Sequence, residues 1–308
     1  MSTDLSPTPR TSIVVSSDEV ALAVYEYGDP AHPTVVAVHG YPDDHHVWDG
    51  VVALLADRFH VVTYDVRGAG ASAAPARAAG RQGYRMTQLV ADLGAVMDAI
   101  LANKPDTSQK RVHLLAHDWG SIQCWDALTD PRVQPALASF TSISGPSLAM
   151  AGRWLRGRGH AGATVKQLRS SYYIAAFLAP TLPEAVIRRG VLARLVAVSQ
   201  KAGPHSRPTG RPVVERDAIN GLELYRANMT ATRQARPRPG PISLPVQVLA
   251  PRHDAHVTPA LQCEAPAPYV DDLRVEVIPG NHWVVEQDPA LIADRLTTFI
   301  KAVTEAPR

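Results

Sequence analysis

The stretch LLAHDWGS, residues Leu114–Ser121, decides the fold of this 308-residue chain. An apolar run leads to the small residue Ala116, and Asp118 follows between two variable positions, before Gly120 and a helix-like sequence. This order is typical of a nucleophile elbow, a tight strand-to-helix turn that presents a reactive side chain. Aspartate before a helix is also an ordinary N-cap, so these residues by themselves fit both interpretations.

Three other segments carry groups that could act together with Asp118, each directly after a strand-like sequence. The segment His-Gly-Tyr-Pro, residues 39–42, follows one apolar run, at the position that supplies a backbone N–H to an oxyanion hole. Asp254 follows the run VQVLAP, and His282 follows LRVEVIPG. Asp118, an acid and a histidine therefore occur in a catalytic chain order, each beyond the carboxyl end of a strand. Agreement among four placements favours catalysis over helix capping.

The remaining sequence alternates between strand-like and helix-like segments. Helical patterns cover Trp48–Ala56, Met86–Ala102 and Ser121–Leu128. Several strand-like runs are continuously apolar, which is typical of strands that are covered on both faces. The sequence predicts an α/β fold with a mostly parallel eight-stranded sheet flanked by helices. The eight runs are SIVVS, VALAVYEYG, TVVAVHG, HVVTYD, RVHLLAHD, SFTSISG, VQVLAP and LRVEVIPG.

The strand–helix alternation stops between about Ser147 and Leu244. Tyr, Leu, Ala and Arg occur there at helical spacing, and the Pro- and Gly-rich stretch RPRPGPISLP, residues 236–245, marks the end. We predict a helical cap at residues 147–243, inserted after the sixth strand. It would separate two core segments, residues 11–146 and 244–305.

Composition narrows the class of protein. Hydrophobic residues make up 45% of the chain and charged residues 19%, as in an ordinary globular protein. The net charge of +2 argues against a nucleic-acid partner. Two cysteines, the lack of an apolar N-terminal signal and the lack of a bilayer-length apolar run predict a cytoplasmic protein without a membrane span. The sequence leaves open whether the chain works alone or as a homodimer.

From about Val14 to Val303 the chain resembles an α/β-hydrolase of the epoxide hydrolase branch. The sequence departs from the family pattern at Ala116 and Asn281, which stand where glycine is usual. Neither departure removes a reacting group. The resemblance implies a nucleophile Asp118, a general base His282, an orienting acid Asp254, and oxyanion-hole N–H groups from Tyr41 and Trp119.

An aspartate at the elbow suits attack on saturated carbon. A serine that attacked such a carbon would leave a stable ether, whereas an aspartate leaves an alkyl ester that water can cleave. The sequence therefore predicts conversion of an epoxide to a vicinal diol through an ester on Asp118, hydrolysed by water that His282 and Asp254 activate. No cofactor is implied. The adjacent acids and histidines of DDHHVWDG lack the spacing of a metal site, so we predict no metal.

Two tyrosines of the predicted cap match the ring-opening positions of epoxide hydrolases. Tyr173, with Phe177, fits the form Tyr-x-x-x-Phe, and Tyr225 is followed by Arg226. Tyr172 competes with Tyr173 because one step along a helix turns a side chain by about 100°. The predicted substrate is a small apolar epoxide. Its predicted contacts are Trp119, Tyr172, His39 and Pro42.

Two other functions fit the same scaffold. A haloalkane dehalogenase would use Trp119 and a second indole such as Trp154 to bind the halide, but it would lack the usual asparagine, because Tyr41 stands at that position. A non-catalytic α/β-hydrolase would use the pocket as a receptor. The complete set of reacting residues disfavours this second alternative.

Overall fold

One eight-stranded sheet forms the centre of the molecule in the computed structural model, which describes residues 7–104, 110–204, 206, 208–229 and 240–305. The strands lie in the order β1-β2-β4-β3-β5-β6-β7-β8. β1 pairs with β2, and β2 with β4, in antiparallel fashion, and every other pair is parallel. The predicted fold class is confirmed. The strands are β1 Arg10–Val15, β2 Ala21–Tyr27, β3 Thr34–Val38, β4 His60–Tyr64, β5 Val112–His117, β6 Leu137–Ile143, β7 Val246–Pro251 and β8 Leu273–Ile278.

Helices cover both faces of the sheet. The three helices predicted from the sequence correspond to α1, α2 and α3 within two residues at each end. None of the helices in the described ranges combines the length and the apolar character needed to cross a bilayer. The helices are α1 Asp49–Leu55, α2 Met86–Ala102, α3 Trp119–Ala127, α4 Leu148–Trp154, α5 Ala161–Ser170, α6 Tyr172–Leu178, α7 Leu182–Arg188, α8 Val191–Ser199, α9 Glu215–Asn228, α10 Pro259–Glu264, α11 Val284–Gln287 and α12 Pro289–Glu305.

Helices α4–α9 all lie between β6 and β7, where the sequence predicts an inserted cap. Helices α6 and α7 both pack on α9. The Pro- and Gly-rich stretch that marks the predicted end of the cap begins with residues 236–239, which lie outside the described residues. The division at residues 147–243 therefore stays our proposal.

The apolar core forms two layers, one on each face of the sheet. In β3, Val36 and Val38 pack in one layer, and Val35 packs in the other. In β5, Leu114 and Leu115 divide in the same way. Because successive side chains of a strand point to opposite faces, a strand buried on both faces must be apolar at every position. This requirement explains the continuous apolar runs in the sequence.

The turn between β5 and α3 brings three segments into close contact. Asp118 lies at the tip of the turn with φ +51° and ψ −123°, in a backbone region that side chains rarely adopt. A Cβ atom on Gly120 would overlap the carbonyl oxygens of Val38 and His39 at the end of β3. Gly120 is therefore required by the packing of α3 against β3.

The close packing at Gly120 predicts a large effect of one added methyl group. Gly120→Ala should lower the free energy of unfolding by about 1–3 kcal/mol or more, because main-chain oxygens cannot yield as a flexible side chain can. Gly162→Ala is a matched control, since a Cβ atom at this position of α5 meets open space. It should leave stability unchanged or raise it by up to about 1 kcal/mol. Urea titrations of both variants measure the difference, and equal midpoints would contradict the packing argument.

Candidate active site

Asp118 presents its carboxylate to two backbone N–H groups. The N–H of Tyr41, in the loop after β3, donates to Asp118 Oδ2 at 2.8 Å. The N–H of Trp119 at the start of α3 also donates to this carboxylate. Asp118 is only 7% exposed. The structure thus brings the elbow carboxylate together with both N–H groups that the sequence assigns to an oxyanion hole.

His282 lies between two carboxylates. Its Nδ1 is 3.1 and 3.2 Å from the two oxygens of Asp254, and its Nε2 is 3.7 Å from Asp118 Oδ1. The N–H groups of His256 and Val257 donate to Asp254 Oδ1 at 2.8 and 2.9 Å. These bonds fix Asp254, and Asp254 in turn orients the imidazole so that Nε2 faces Asp118.

The charges of these groups are strongly coupled. Burial by itself would lower the pKa of His282, but the negative charges of Asp254 and Asp118 raise it to about 9. Burial opposes ionisation of Asp254, yet the charge and hydrogen bond of His282 lower the pKa of Asp254 to about 2. Burial raises the pKa of Asp118, against the opposing charge of His282 and the N–H groups of Tyr41 and Trp119. The resting site at neutral pH therefore holds a charged imidazole beside the ionised Asp254.

Tyr173 and Tyr225 approach Asp118 from helices α6 and α9. Burial, followed by neighbouring groups that include Asp118, raises the pKa of both phenols above the ordinary value. The hydroxyls of Tyr173 and Tyr225 are hydrogen-bonded to each other, and the indole N–H of Trp119 donates to Tyr225. Both tyrosines are consequently neutral hydrogen-bond donors in an aromatic wall. Tyr225 also packs edge-on against Tyr41, Trp119 and Phe177.

Tyr172 is not brought to this site. Its side chain is 72% exposed, although it directly precedes Tyr173 on the same helix. Of the two tyrosines that the sequence left open, Tyr173 is therefore the one near Asp118. The predicted contact of Tyr172 with a substrate is wrong, because the side chain points to the outer face of α6.

His39 lines the same small cavity as Pro42, and its predicted contact with a substrate stays a prediction. The N–H of Val66 donates to His39 Nε2 at 2.8 Å, and His39 Nδ1 is 2.9 Å from the carbonyl oxygen of Gly40. Both ring nitrogens are thus engaged by main chain, and His39 joins the loops that follow β3 and β4. Pro42 follows a cis peptide bond with Tyr41 and lines a small cavity beside Tyr41 and Trp119.

Three residues near the site were not singled out as site residues by the sequence. His256 packs its ring against those of His282 and Tyr173, with centroids 4.8 and 5.3 Å apart, and burial lowers its pKa to about 4. His117 Nε2 donates to the carbonyl oxygen of His282 at 2.8 Å. Burial raises the pKa of Asp43 to about 8. Of these three residues, only Asp43 could have been found from the sequence, because it directly follows the loop at residues 39–42.

A metal site is not evident in this region. Within residues 7–104, 110–204, 206, 208–229 and 240–305, no group of three or more His, Cys, Asp or Glu side chains is arranged to hold a metal ion. The two carboxylates nearest the imidazole are both hydrogen-bonded by protein groups. The groups that the structure brings together around Asp118 are an imidazole, a second carboxylate and two phenols.

Comparison with known proteins assigns the fold family. A family model of the alpha/beta hydrolase fold matches residues 33–289. The chain belongs to this family. The predicted resemblance is thereby confirmed at the level of the α/β-hydrolase fold, and the elbow, the loop after β3 and His282 all fall within the matched range.

Several proteins that are similar to this chain in sequence or structure have names that state an activity. A Mycobacterium tuberculosis protein named probable oxidoreductase EphD is 34% identical over 307 residues, covering 93% of this chain and 49% of that protein. Epoxide hydrolase A of the same organism is 33% identical over 149 residues, covering 47% of this chain and 41% of that protein. The chain thus spans about half the length of the first of these relatives. An epoxide hydrolase structure from Bacillus megaterium has a TM-score of 0.76 at 20% identity, covering 94% and 100% of the two chains, and shows the shared fold.

The charge coupling predicts how His282 titrates. We expect imidazole NMR resonances of His282 to give a pKa of about 9 in the wild-type protein. Asp118→Asn should lower this pKa, because it removes a negative charge close to Nε2 while Asp254 remains. Asp57→Asn, at an exposed position far from the site, is the control and should leave the titration unchanged. A His282 pKa that Asp118→Asn does not lower would mean that the two groups are not electrostatically coupled.

Proposed function

We propose that this protein is an epoxide hydrolase that forms a covalent ester on Asp118 and releases a vicinal diol. One observation carries the proposal: the Asp118 carboxylate has an imidazole 3.7 Å away and two neutral phenols in its immediate surroundings. A carboxylate nucleophile, a base for water and donors for a departing oxygen are the three requirements of this reaction.

In the first step, Asp118 attacks one epoxide carbon and the bond from that carbon to the epoxide oxygen breaks. The new bond is an ester between Asp118 and the substrate. The released electron pair stays on the epoxide oxygen, which takes a proton from Tyr173 or Tyr225. Their raised pKa values keep the phenols protonated until a stronger base, the nascent alkoxide, forms beside them.

In the second step, His282 takes a proton from water, and the resulting hydroxide attacks the ester carbonyl of Asp118. Formation of the ester has already removed the negative charge of Asp118, one of the causes of the raised pKa of His282. The pKa of His282 therefore falls, and the imidazole loses its resting proton to solvent, acts as a base, and regains that proton from solvent once Asp118 is freed. The N–H groups of Tyr41 and Trp119 would stabilise the oxyanion, and its collapse frees the diol and Asp118. The proton held by His282 finally returns to the tyrosine that donated one.

The relatives' names support the proposal. Epoxide hydrolase A of Mycobacterium tuberculosis aligns with nearly half of this chain, and the Bacillus megaterium epoxide hydrolase shares its fold. The name probable oxidoreductase belongs to a relative of which this chain spans about half, so it assigns no activity to this site. The surroundings of Asp118 favour a small apolar substrate, because Tyr41, Phe177 and Tyr225 present ring surface there.

The dehalogenase alternative loses its second halide donor. The indole N–H of Trp154 donates to Glu264 Oε2 at 2.8 Å, and the ring stacks on His160. This N–H is therefore not directed at a halide beside Trp119. Location in the cytoplasm, function without a cofactor and assembly as a homodimer stay predictions from the sequence.

Isotope labelling separates the covalent route from direct attack by water. With enzyme in excess over styrene oxide in heavy-oxygen water, the first diol should contain no heavy oxygen, since its second oxygen comes from Asp118. The label should instead appear in the Asp118 peptide. His282→Gln should accumulate an adduct heavier by the mass of the substrate, because ester cleavage lacks its base. Heavy oxygen in the first-turnover diol would refute the ester mechanism.

Phenylalanine substitutions test the two tyrosines. Tyr173→Phe and Tyr225→Phe should each slow ester formation by about 100-fold, the usual effect of losing one positioned donor. The double variant should approach the loss of about 10⁴-fold that marks removal of acid catalysis. Tyr172→Phe on the outer side of α6 is the matched control and should leave the single-turnover rate unchanged. Equal rates for Tyr172→Phe and Tyr173→Phe would contradict the assignment.

A further inference from the structure

The segment that leads into α6 is strongly basic. No acidic residue occurs between Asp130 and Glu184. This stretch contains six exposed lysine and arginine side chains; Arg132 pairs with Asp130, and no ion pair involves the other five in the part of the chain that the structure describes. These five are Arg153, Arg156, Arg158, Lys166 and Arg169.

Apolar side chains are exposed beside these charges on one helical face. Val165 is 56% exposed, Leu168 57% and Tyr172 72%. Together with Lys166 and Arg169 they recur at the spacing i, i+1, i+3, i+4 and i+7 along α5 and into α6, which places them on one side. We call these five residues the α5–α6 face. An open hollow runs along it, lined by Val165, Lys166, Arg169 and Tyr172 together with Gly162, Ser170 and Ala255.

The opposite side of the same two helices supports the active site. Gln167 of α5 is buried, donates to the carbonyl oxygen of His256 at 3.0 Å and accepts the N–H of Thr258 at 2.8 Å. These bonds attach α5 to the loop that carries Asp254. Tyr173 of α6 faces Asp118, whereas its neighbour Tyr172 belongs to the α5–α6 face. The exposed face is therefore the outer surface of elements that line the site.

We propose that the α5–α6 face binds the surface of an anionic lipid bilayer. Lysine and arginine side chains are attracted to anionic headgroups, while an exposed tyrosine and aliphatic residues enter the interface between headgroups and acyl chains. A nucleic acid or acidic protein would bind the charges but gives no reason for exposing Val165 and Leu168 together. A second copy of this face would repel the first, because both carry only positive charge.

Docking of this kind would bring the active site to the phase in which apolar epoxides dissolve. The proposal concerns the surface alone and does not depend on the proposed reaction. Binding to vesicles requires no turnover, so Asp118→Asn should bind as the wild-type protein does. Failure of the lipid proposal and failure of the hydrolase proposal are therefore distinguishable.

Sedimentation with vesicles tests the proposal. The wild-type protein should sediment with vesicles of phosphatidylcholine and phosphatidylglycerol in equal parts, less at high salt, and not with pure phosphatidylcholine. Lys166→Glu and Arg169→Glu should each weaken the partition coefficient by roughly fivefold or more, the usual effect of one basic residue near such a surface. Val165→Ser combined with Leu168→Ser should weaken it as well.

The matched control substitutions lie on helices α1 and α12, outside the predicted cap. Lys301→Glu changes an exposed charge on α12, and Leu54→Ser removes an exposed aliphatic side chain of α1. Both should sediment as the wild-type protein does, and circular dichroism should show that all variants are folded. Lack of wild-type sedimentation with anionic vesicles would overturn the proposal. Sedimentation that survives Val165→Ser with Leu168→Ser, and that heparin abolishes, would also overturn it and indicate a polyanionic partner.

Discussion

The close approach of main chain around residue 118 is the constraint on which the site depends. Asp118 has a positive φ, and its N–H donates to the carbonyl oxygen of Ile143 at 3.0 Å, which holds the turn against β6. Side chains at Gly40 and Gly145 would overlap atoms of Asp118 itself. Such a backbone persists only where its surroundings over-determine it. The backbone therefore holds the Asp118 carboxylate 2.8 Å from the N of Tyr41.

The arrangement of charge follows from this geometry. A single imidazole lies between Asp118 and Asp254, and their joint attraction outweighs the cost of burying its charge. The pKa of Asp254 lies at about 2, so it stays ionised, whereas Asp118 would lose its charge when it forms the ester. In the proposed reaction, esterification of Asp118 also lowers the pKa of His282, so that the imidazole loses its proton and becomes available as a base. The order of the two steps would be built into the electrostatics and would need no movement of the protein.

The sequence predicted the sheet and the positions of Asp118, Asp254 and His282 because each of these residues follows an apolar strand, and parallel strands bring such positions to one edge. It could not choose between Tyr172 and Tyr173, since the rotation of α6 about its axis depends on packing against α9 rather than on local pattern. The sequence could not show that the ring of His39 accepts the N–H of Val66, because that N–H comes from a loop distant in sequence. His256 carried no signal, since its importance lies in contacts with two rings from other segments.

Helix α6 shows how one short element can meet two opposed requirements. In the proposed reaction Tyr173 needs a dry surrounding, because water would compete for the hydroxyl that protonates the departing oxygen. Tyr172, one residue earlier, is turned by about 100° and is solvated. Helix α5, which precedes α6, cannot shift freely. Its movement would break the hydrogen bonds that join Gln167 to His256 and Thr258. Any partner that binds the α5–α6 face while those bonds persist must therefore bind it as a rigid unit. The positions of Asp254 and His282 relative to Asp118 would then stay the same.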